Sequence, residues 1–136
     1  MTKRCSLYTV TPKDEKARGY HWEVIKLFFK DPTATPSQTK VSNAWVHNRR
    51  IQFIVSYGPF GPDFSQFLLE LETRHIDNSK KKIMGQFRWD VILRNQTIVS
   101  YWQGAGERCR MDNAQIPFAD KDIVMFDVLY KLPRRA

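Results

Sequence analysis

Apolar and polar residues alternate along several stretches of the chain, and this alternation predicts β-strands. Between Ile51 and Tyr57 every second side chain is large and apolar, as in a strand with one face against a core. The residues at 19–29 suit a pleated surface, and two weaker strands are predicted over 40–46 and 97–102. Further alternating stretches cover 66–72, 87–94 and 124–130.

Turn signals separate the predicted strands. Residues 30–38 contain two prolines and several hydroxyl side chains and predict a loop, and the Gly- and Pro-rich stretch 58–63 predicts a turn. The stretch 103–107, with two glycines, predicts another turn. No window has the pattern of a long amphipathic helix. The chain is therefore predicted to be all-β, an antiparallel β-sandwich of about seven to eight strands.

The chain has 136 residues, which is enough for one domain with a sizeable core. We assign this domain to residues 19–132 and a basic tail to 133–136. Residues 1–18 are interpreted as a polar lead-in, because the segment 11–16 is too charged to enter a core. The nine Phe, five Tyr and four Trp supply large side chains that can stabilise such a domain.

The net charge of +8 and the isoelectric point near 9.7 favour acidic partners, nucleic acid among them. Most basic residues are scattered, and the lysine triple follows Asp77, Asn78 and Ser79, so a solvated loop is its alternative interpretation. The residues assigned to a basic surface are Arg49, Arg50, Lys80, Lys81 and Lys82.

Two cysteines, Cys5 and Cys109, lack the C-x-x-C spacing of a zinc or redox site. We predict two free thiols, with a disulfide between the N-terminal tail and the body as the alternative. No apolar run approaches the roughly 20 residues of a membrane helix, and no apolar segment follows the basic start as a secretory signal would require. These features predict a cytoplasmic or nuclear protein that has no membrane partner.

The sequence shows no pattern for catalysis. His21, His47 and His75 are far apart, so their spacing gives no support to a zinc site, and His21 is interpreted as structural. Neither cysteine has a nearby histidine that would activate it, and no Gly-rich phosphate-binding motif is present. We therefore predict a protein that is not an enzyme and that uses no metal and no cofactor.

Five segments follow one another in the order and kind of a known family's strands. Tyr20-His21-Trp22-Glu23-Val24 is similar to that family's opening aromatic strand. Segments 50–61, 66–71, 86–96 and 122–128 are similar to its later strands. Over about residues 20–130 the chain thus resembles the meprin and TRAF homology (MATH) domain, the TRAF-like β-sandwich of ubiquitin-ligase adaptors and receptor-associated factors. It is shorter than the family after Gln96.

The resemblance implies an interaction module that binds an extended peptide of a protein partner, with a link to ubiquitin-ligase recruitment. An extended peptide can lie along a sheet edge, where backbone hydrogen bonds give affinity and side-chain pockets give specificity. The alternative is that the implied groove residues are ordinary core residues of the sandwich. These groove residues are Phe67, Phe87, Tyr101 and Trp102.

Two other classes of function stay open. A small basic nucleic-acid-binding protein, of a viral kind, would use Lys and Arg on phosphates and exposed aromatic rings on bases. A self-assembling structural β-sandwich would use exposed aromatic patches as oligomer contacts. Binding that weakens steeply with salt distinguishes the nucleic-acid function from a peptide groove.

Overall fold

Two β-sheets packed face to face make up the described part of the molecule. The computed structural model describes residues 3–30, 38–46, 49–60, 66–76, 85–112 and 115–133. In chain order its elements are β1 (Lys3–Arg4), β2 (Ser6–Leu7), α1 (Pro12–Ala17), β3 (Tyr20–Phe29), β4 (Gln38–Val46), β5 (Arg49–Phe60), β6 (Gln66–His75), β7 (Gln86–Leu93), β8 (Ile98–Gly104), β9 (Arg108–Asp112), a 3-10 turn (Asp120–Asp122) and β10 (Ile123–Pro133).

Each sheet has five strands. Sheet A has the order β1-β9-β6-β5-β4, and sheet B has the order β2-β8-β7-β10-β3. All neighbouring strands are antiparallel except β1, which runs parallel to β9. The prediction of an all-β antiparallel sandwich is confirmed, with ten strands in the described ranges instead of seven to eight.

The core lies between the sheets and is built from the alternating residues of their middle strands. In β5, Ile51, Phe53, Val55 and Tyr57 are all buried, as the alternation predicts. The inward side chains of β6 and β7 are Phe67, Leu69, Leu71, Phe87, Trp89, Val91 and Leu93. In β10 the pattern is offset at one end, because the register shifts between Ile123 and Met125 and leaves Val124 exposed.

Residues 3–17, which the sequence analysis interpreted as part of a polar lead-in over 1–18, contain two short strands of the sandwich and a helix. β1 pairs with β9, β2 pairs with β8, and α1 begins after Thr11, whose hydroxyl accepts from the Asp14 N–H at 3.1 Å. Glu15 is buried because the Trp22 indole N–H donates to its carboxylate. Strands of two residues have no periodicity, which is why the hydrophobic pattern does not reveal them.

Two predicted turns differ in extent from the structure. β5 continues through Gly58 and Pro59 to Phe60 and does not turn at residue 58, while residues 61–65 lie outside the described part. Within the described residues, β4 pairs with β5 only as far as Tyr57, so Pro59 has its described partner on β6, a position where proline is tolerated. The turn predicted over 103–107 is confined to 105–107, and Gln103 is a buried residue of β8.

Cys5 and Cys109 form a disulfide, so the prediction of two free thiols is wrong and the alternative is correct. Cys5 lies between β1 and β2, at the point where the chain passes from sheet A to sheet B. Pairing of β1 with β9 puts it beside Cys109, with 4.8 Å between their Cα atoms. The bond closes 104 residues of chain, a contact that local sequence spacing does not encode.

Candidate interaction site

The sandwich has two unlike sides where its sheets end. The closed side consists of β1, β2 and the strands they cover, β9 and β8. The open side consists of the outer edges of β3 and β4, to which no other described strand is paired. Unpaired backbone groups along an edge are a template for another strand. The open side is therefore the first place to look for a binding site.

The closed side is held by covalent and polar contacts in addition to its strands. The Cys5–Cys109 disulfide is almost fully buried. Lys3 Nζ lies 2.9 Å from Glu107 Oε2 and 5.3 Å from the centre of the Trp102 ring. Burial acts to raise the pKa of Glu107, but hydrogen bonds from Lys3 and from the Gly104 backbone outweigh it and lower the pKa. These contacts hold β1 and β2 over the middle of β9 and β8, so the longer strands of the closed side are partly covered.

A buried amide joins the two sheets next to the disulfide. Gln103 is fully buried in β8, and its Oε1 accepts from the Trp89 indole N–H at 2.8 Å. Its Nε2 donates to the Leu71 carbonyl of sheet A at 2.9 Å. Both ends of the amide are thus satisfied, as a buried polar group requires. The amide fixes β8 against β6 and is part of the core, not of a surface site.

The open side carries most of the large apolar side chains that remain exposed in the described residues. Val41 and Trp45 of β4 are 53% and 69% exposed, and Phe29 of β3 is 62% exposed. Val24 and Leu27 of β3 are about half exposed as well. Register puts Val41 and Trp45 on the outer face of sheet A and the three β3 residues on the outer face of sheet B, so each edge carries its own group of exposed apolar residues, a feature typical of interaction surfaces.

Of the two open edges, β4 is the more regular template. Its nine residues pair with β5 in one unbroken register from Gln38 to Val46. In β3 the register with β10 shifts between Val128 and Leu129 and leaves Ile25 as an extra residue. Such a bulge twists a strand and interrupts its pairing capacity. The edge of β4 is thus better suited to receive an extended chain.

Several inward positions of the open edges are polar, whereas most of those in the middle strands are apolar. Lys40 shares a register position with the core residue Val55, and Ser42 shares one with Phe53. On β3, Lys26 shares a position with the core residue Val128. All three side chains are half-buried. The space between the sheets is therefore lined by polar groups where it opens towards β3 and β4.

Three of the four residues assigned to a peptide groove lie in the core. Phe87 and Tyr101 have no exposed surface, and Phe67 is 7% exposed. Their places in the alternation put them on the inward faces of β6, β7 and β8, and burial raises the pKa of Tyr101 to about 12. The alternative interpretation, core residues, describes these three. Trp102 is half-buried on the closed side beside Lys3, away from the open edges.

The residues assigned to a basic surface are only partly described. Arg49 and Arg50 begin β5, and the Arg50 guanidinium lies 5.8 Å from the centre of the exposed Trp45 ring. Lys80, Lys81 and Lys82 lie outside the described residues, as do His47 and the tail after Pro133.

The outer face of sheet A carries more arginines than the sequence analysis assigned to it. We call this surface the arginine face. Its carboxylates are Glu70 and Glu72, and Arg108 Nε donates to Glu70 Oε1 at 2.9 Å. Register places these side chains on the same outward side of neighbouring strands. The arginines of the arginine face are Arg4, Arg50, Arg74, Arg108 and Arg110.

The outer face of sheet B is occupied by α1. A cavity of about 520 Å³ lies beside the helix, lined by residues that include Glu15, Trp22 and Arg88. The Arg88 guanidinium forms two hydrogen bonds with Asp90 and lies 3.8 Å from Glu15. It also lies 5.1 Å from the centre of the Trp22 ring. Because these charged groups satisfy one another, the cluster attaches α1 to the sheet.

Two aspartates sit side by side on the same face. Asp90 and Asp127 are register partners on β7 and β10. Burial and then the neighbouring Asp90 raise the pKa of Asp127. The pair has no third carboxylate, histidine or cysteine in a metal-binding arrangement, and no such group of three occurs elsewhere in the described ranges.

The chain matches no protein-family model and no characterised protein sequence. No helix in the described part of the chain is long and apolar enough to cross a membrane.

Proposed function

We propose that the protein is a non-enzymatic interaction module that takes up an extended segment of a protein partner as an additional strand on β4. One observation carries this proposal: β4 is a regular nine-residue edge strand with Val41 and Trp45 exposed on its outward side. Strand addition gives affinity through backbone hydrogen bonds and specificity through alternate side chains. The MATH resemblance supports the class of function and stays a prediction itself.

The outward side chains of β4 supply contact area for the added strand. Val41 and Trp45 are four residues apart, so they lie on one face with one position between them. Side chains of neighbouring strands that share a face lie about 4.5–5.5 Å apart and stabilise one another. An added strand would therefore bury both residues with its own alternate side chains. A role in ubiquitin-ligase recruitment rests on the resemblance alone.

Selection from a library of random peptides of about ten residues, long enough to span β4, tests the proposal. We expect that Val41→Ser and Trp45→Ser each weaken the selected peptides about tenfold or more. Ile98→Ser is the matched control, because Ile98 is 54% exposed on β8 and lies away from the open side. N-methylation of alternate peptide amides must abolish binding. Peptides that tolerate both changes contradict the proposal.

The self-assembly alternative uses the same edge. Two copies could pair β4 against β4, since an isologous contact joins identical surfaces. The oligomeric state, measured by sedimentation of the wild type and Trp45→Ser, distinguishes self-assembly from binding of a separate partner. A dimer that the substitution dissociates favours self-assembly, and a wild-type monomer favours a separate partner.

Nucleic-acid binding is the second candidate, and the arginine face is the observation that favours it. Arginine residues on neighbouring strands, next to the exposed Trp45 ring, combine phosphate contacts with a stacking surface. A labelled single-stranded oligouridine is the probe. Arg74→Gln with Arg110→Gln should weaken it and reduce its salt dependence, whereas Lys13→Gln on α1 should not. Equal binding by all three proteins contradicts this candidate.

The location of the protein bears on the state of the disulfide. A cytoplasmic or nuclear location, which the sequence predicts, has no support from the structure. The Cys5–Cys109 bond instead favours an oxidising compartment, since reducing compartments keep most thiols unpaired. Thiol titration of the protein taken from its own cells tests this, and two titratable thiols would favour the cytoplasm or nucleus.

A further inference from the structure

We infer that the partner strand on β4 is acidic: it carries Asp or Glu at the positions that point between the sheets, alternating with apolar residues that point outward. The inference rests on the proposed function and specifies its partner. Two lysines carry it, Lys40 on β4 and Lys26 on β3.

Both lysines share a register position with a core residue of the neighbouring strand. Lys40 lies opposite Val55 and Lys26 lies opposite Val128, and both valines are fully buried. The β-strand period of two fixes these directions, because side chains that share a register position share a face. Each lysine therefore points inward from an edge strand of its own sheet.

Contacts across the core place the two lysines in the same stretch of the open side. Tyr57, the register partner of Gln38, packs on Phe126 with 5.1 Å between ring centres. Phe53, the partner of Ser42, packs on Trp89 at 6.2 Å. Lys40 lies between Gln38 and Ser42 on β4. Trp89 and Lys26 are both register partners of Val128, one on each side of β10. Both lysines thus point between the sheets at similar positions along the open side, where an inward side chain of an added strand would also point.

Neither ammonium group has an ion pair or a hydrogen bond within the part of the chain that the structure describes. By contrast, Lys30 at the end of β3 lies 3.2 Å from Asp120. Glu23, which shares a position with inward Tyr130, is exposed and contacts His21 at 3.7 Å. A carboxylate from a partner would supply the missing counter-charge to both half-buried lysines.

The same lysines also protect the open edges against pairing with apolar strands. An inward-pointing charge on an edge strand disfavours pairing with an apolar strand, because that strand would bury the charge unpaired. An acidic strand removes this penalty and forms charge-assisted hydrogen bonds. The two roles combine into selectivity, since the lysines reject apolar strands and accept acidic ones. The net charge of +8 attracts acidic segments in addition.

The random-peptide library used for the proposed function also tests this inference. Against the wild type, we expect enriched peptides with Asp or Glu at alternate positions and apolar residues between them. Replacing the acids by Gln or Asn should weaken a selected peptide about tenfold or more. Against the double variant Lys26→Glu with Lys40→Glu, enrichment should change to Lys or Arg at those positions.

Two further proteins keep the result interpretable. Lys40→Gln removes one charge with a milder change, and it should weaken the acidic peptides while thermal unfolding shows an intact fold. Lys16→Glu on α1 makes the same charge reversal elsewhere and should leave the selection unchanged. Peptides that require Val41 but carry no acids, or that ignore both lysine changes, overturn this inference alone. If no peptide requires Val41, both the proposed function and the inference fail.

Discussion

The closed and open sides of the sandwich differ in how far their longer strands are covered by other strands. On the closed side, residues 3–7 add one short strand to each sheet, and the Cys5–Cys109 bond attaches them to β9. On the open side, β3 and β4 are ten and nine residues long and keep large apolar residues exposed. The N-terminal segment adds strands to β9 and β8 on the closed side, whereas no described segment adds one to β3 or β4 on the open side. The contrast supports the proposal that the open side binds a partner.

The two sides also differ in how they bear on stability. The closed side contains a disulfide, a buried inter-sheet amide and an ion pair. The open side contains half-buried lysines and exposed apolar residues, which contribute little to folding. Substitutions on the closed side should then lower stability, whereas substitutions on the open side should weaken binding and change stability little.

The largest effect is expected from the disulfide. Cys5→Ser should lower the free energy of unfolding by about 2–5 kcal/mol, because the bond restricts a loop of 104 residues in the unfolded chain. Urea unfolding with and without a reducing agent measures this. The reduced wild type should match the variant, and amide exchange should rise in β9 but not in β4. Equal stability of the oxidised and reduced protein would show that the bond does not hold the closed side.

The next largest effect is expected at the buried amide. Gln103→Leu keeps the volume but leaves the Trp89 indole N–H and the Leu71 carbonyl without their partners. Each unpaired buried group costs about 1–3 kcal/mol, so the loss should be about 2–4 kcal/mol. Gln52→Leu on the outward side of β5 is the control and should change stability by less than about 0.5 kcal/mol. A loss at Gln103 no larger than at Gln52 would contradict the assignment.

A smaller effect should follow from acid on the closed side. The pKa of Glu107 is lowered in the folded protein, because Lys3 and the Gly104 backbone donate hydrogen bonds to its carboxylate, so its contribution is present above the pKa of the unfolded chain and is lost as pH falls through the folded pKa. The contribution should be no more than about 1 kcal/mol, because the group is partly exposed. Glu107→Gln should therefore be less stable than the wild type at pH 7 and equal to it in acid. A difference that persists in acid would exclude this carboxylate as its cause.

The sequence predicts the central strands of this fold but not the strands β1, β2 and β9 at one side of the sheets. Central strands such as β5 and β7 bury one whole face, so their apolar residues recur at every second position. In β9, inward Cys109 and Met111 are too few to stand out among charged neighbours. The disulfide and the strands β1 and β2 depend on contacts between distant segments, which no local pattern encodes.

The candidate site was not predicted, because it depends on which strands lie at the edges. Alternation places Val41 and Trp45 on one face of β4, but the same alternation would suit a central strand. The period-two pattern also puts Phe67 and Phe87 in line with the core residues Leu69 and Trp89. The pattern thus favoured the core interpretation of these aromatic residues. Lysines at inward positions, as at Lys26 and Lys40, are a local signal of an edge that the sequence contains.

The smallest effect on stability is expected where the largest effect on binding is proposed. Val41→Ser should change the free energy of unfolding by less than about 0.5 kcal/mol, because the side chain is already 53% exposed in the folded protein. Ile98→Ser, at 54% exposure, should behave alike in urea unfolding but should leave peptide binding intact. If Val41→Ser destabilises the protein by more than about 1 kcal/mol, part of the chain already covers β4 in solution. The edge would then be closed on both sides, and the contrast that favours a partner would disappear.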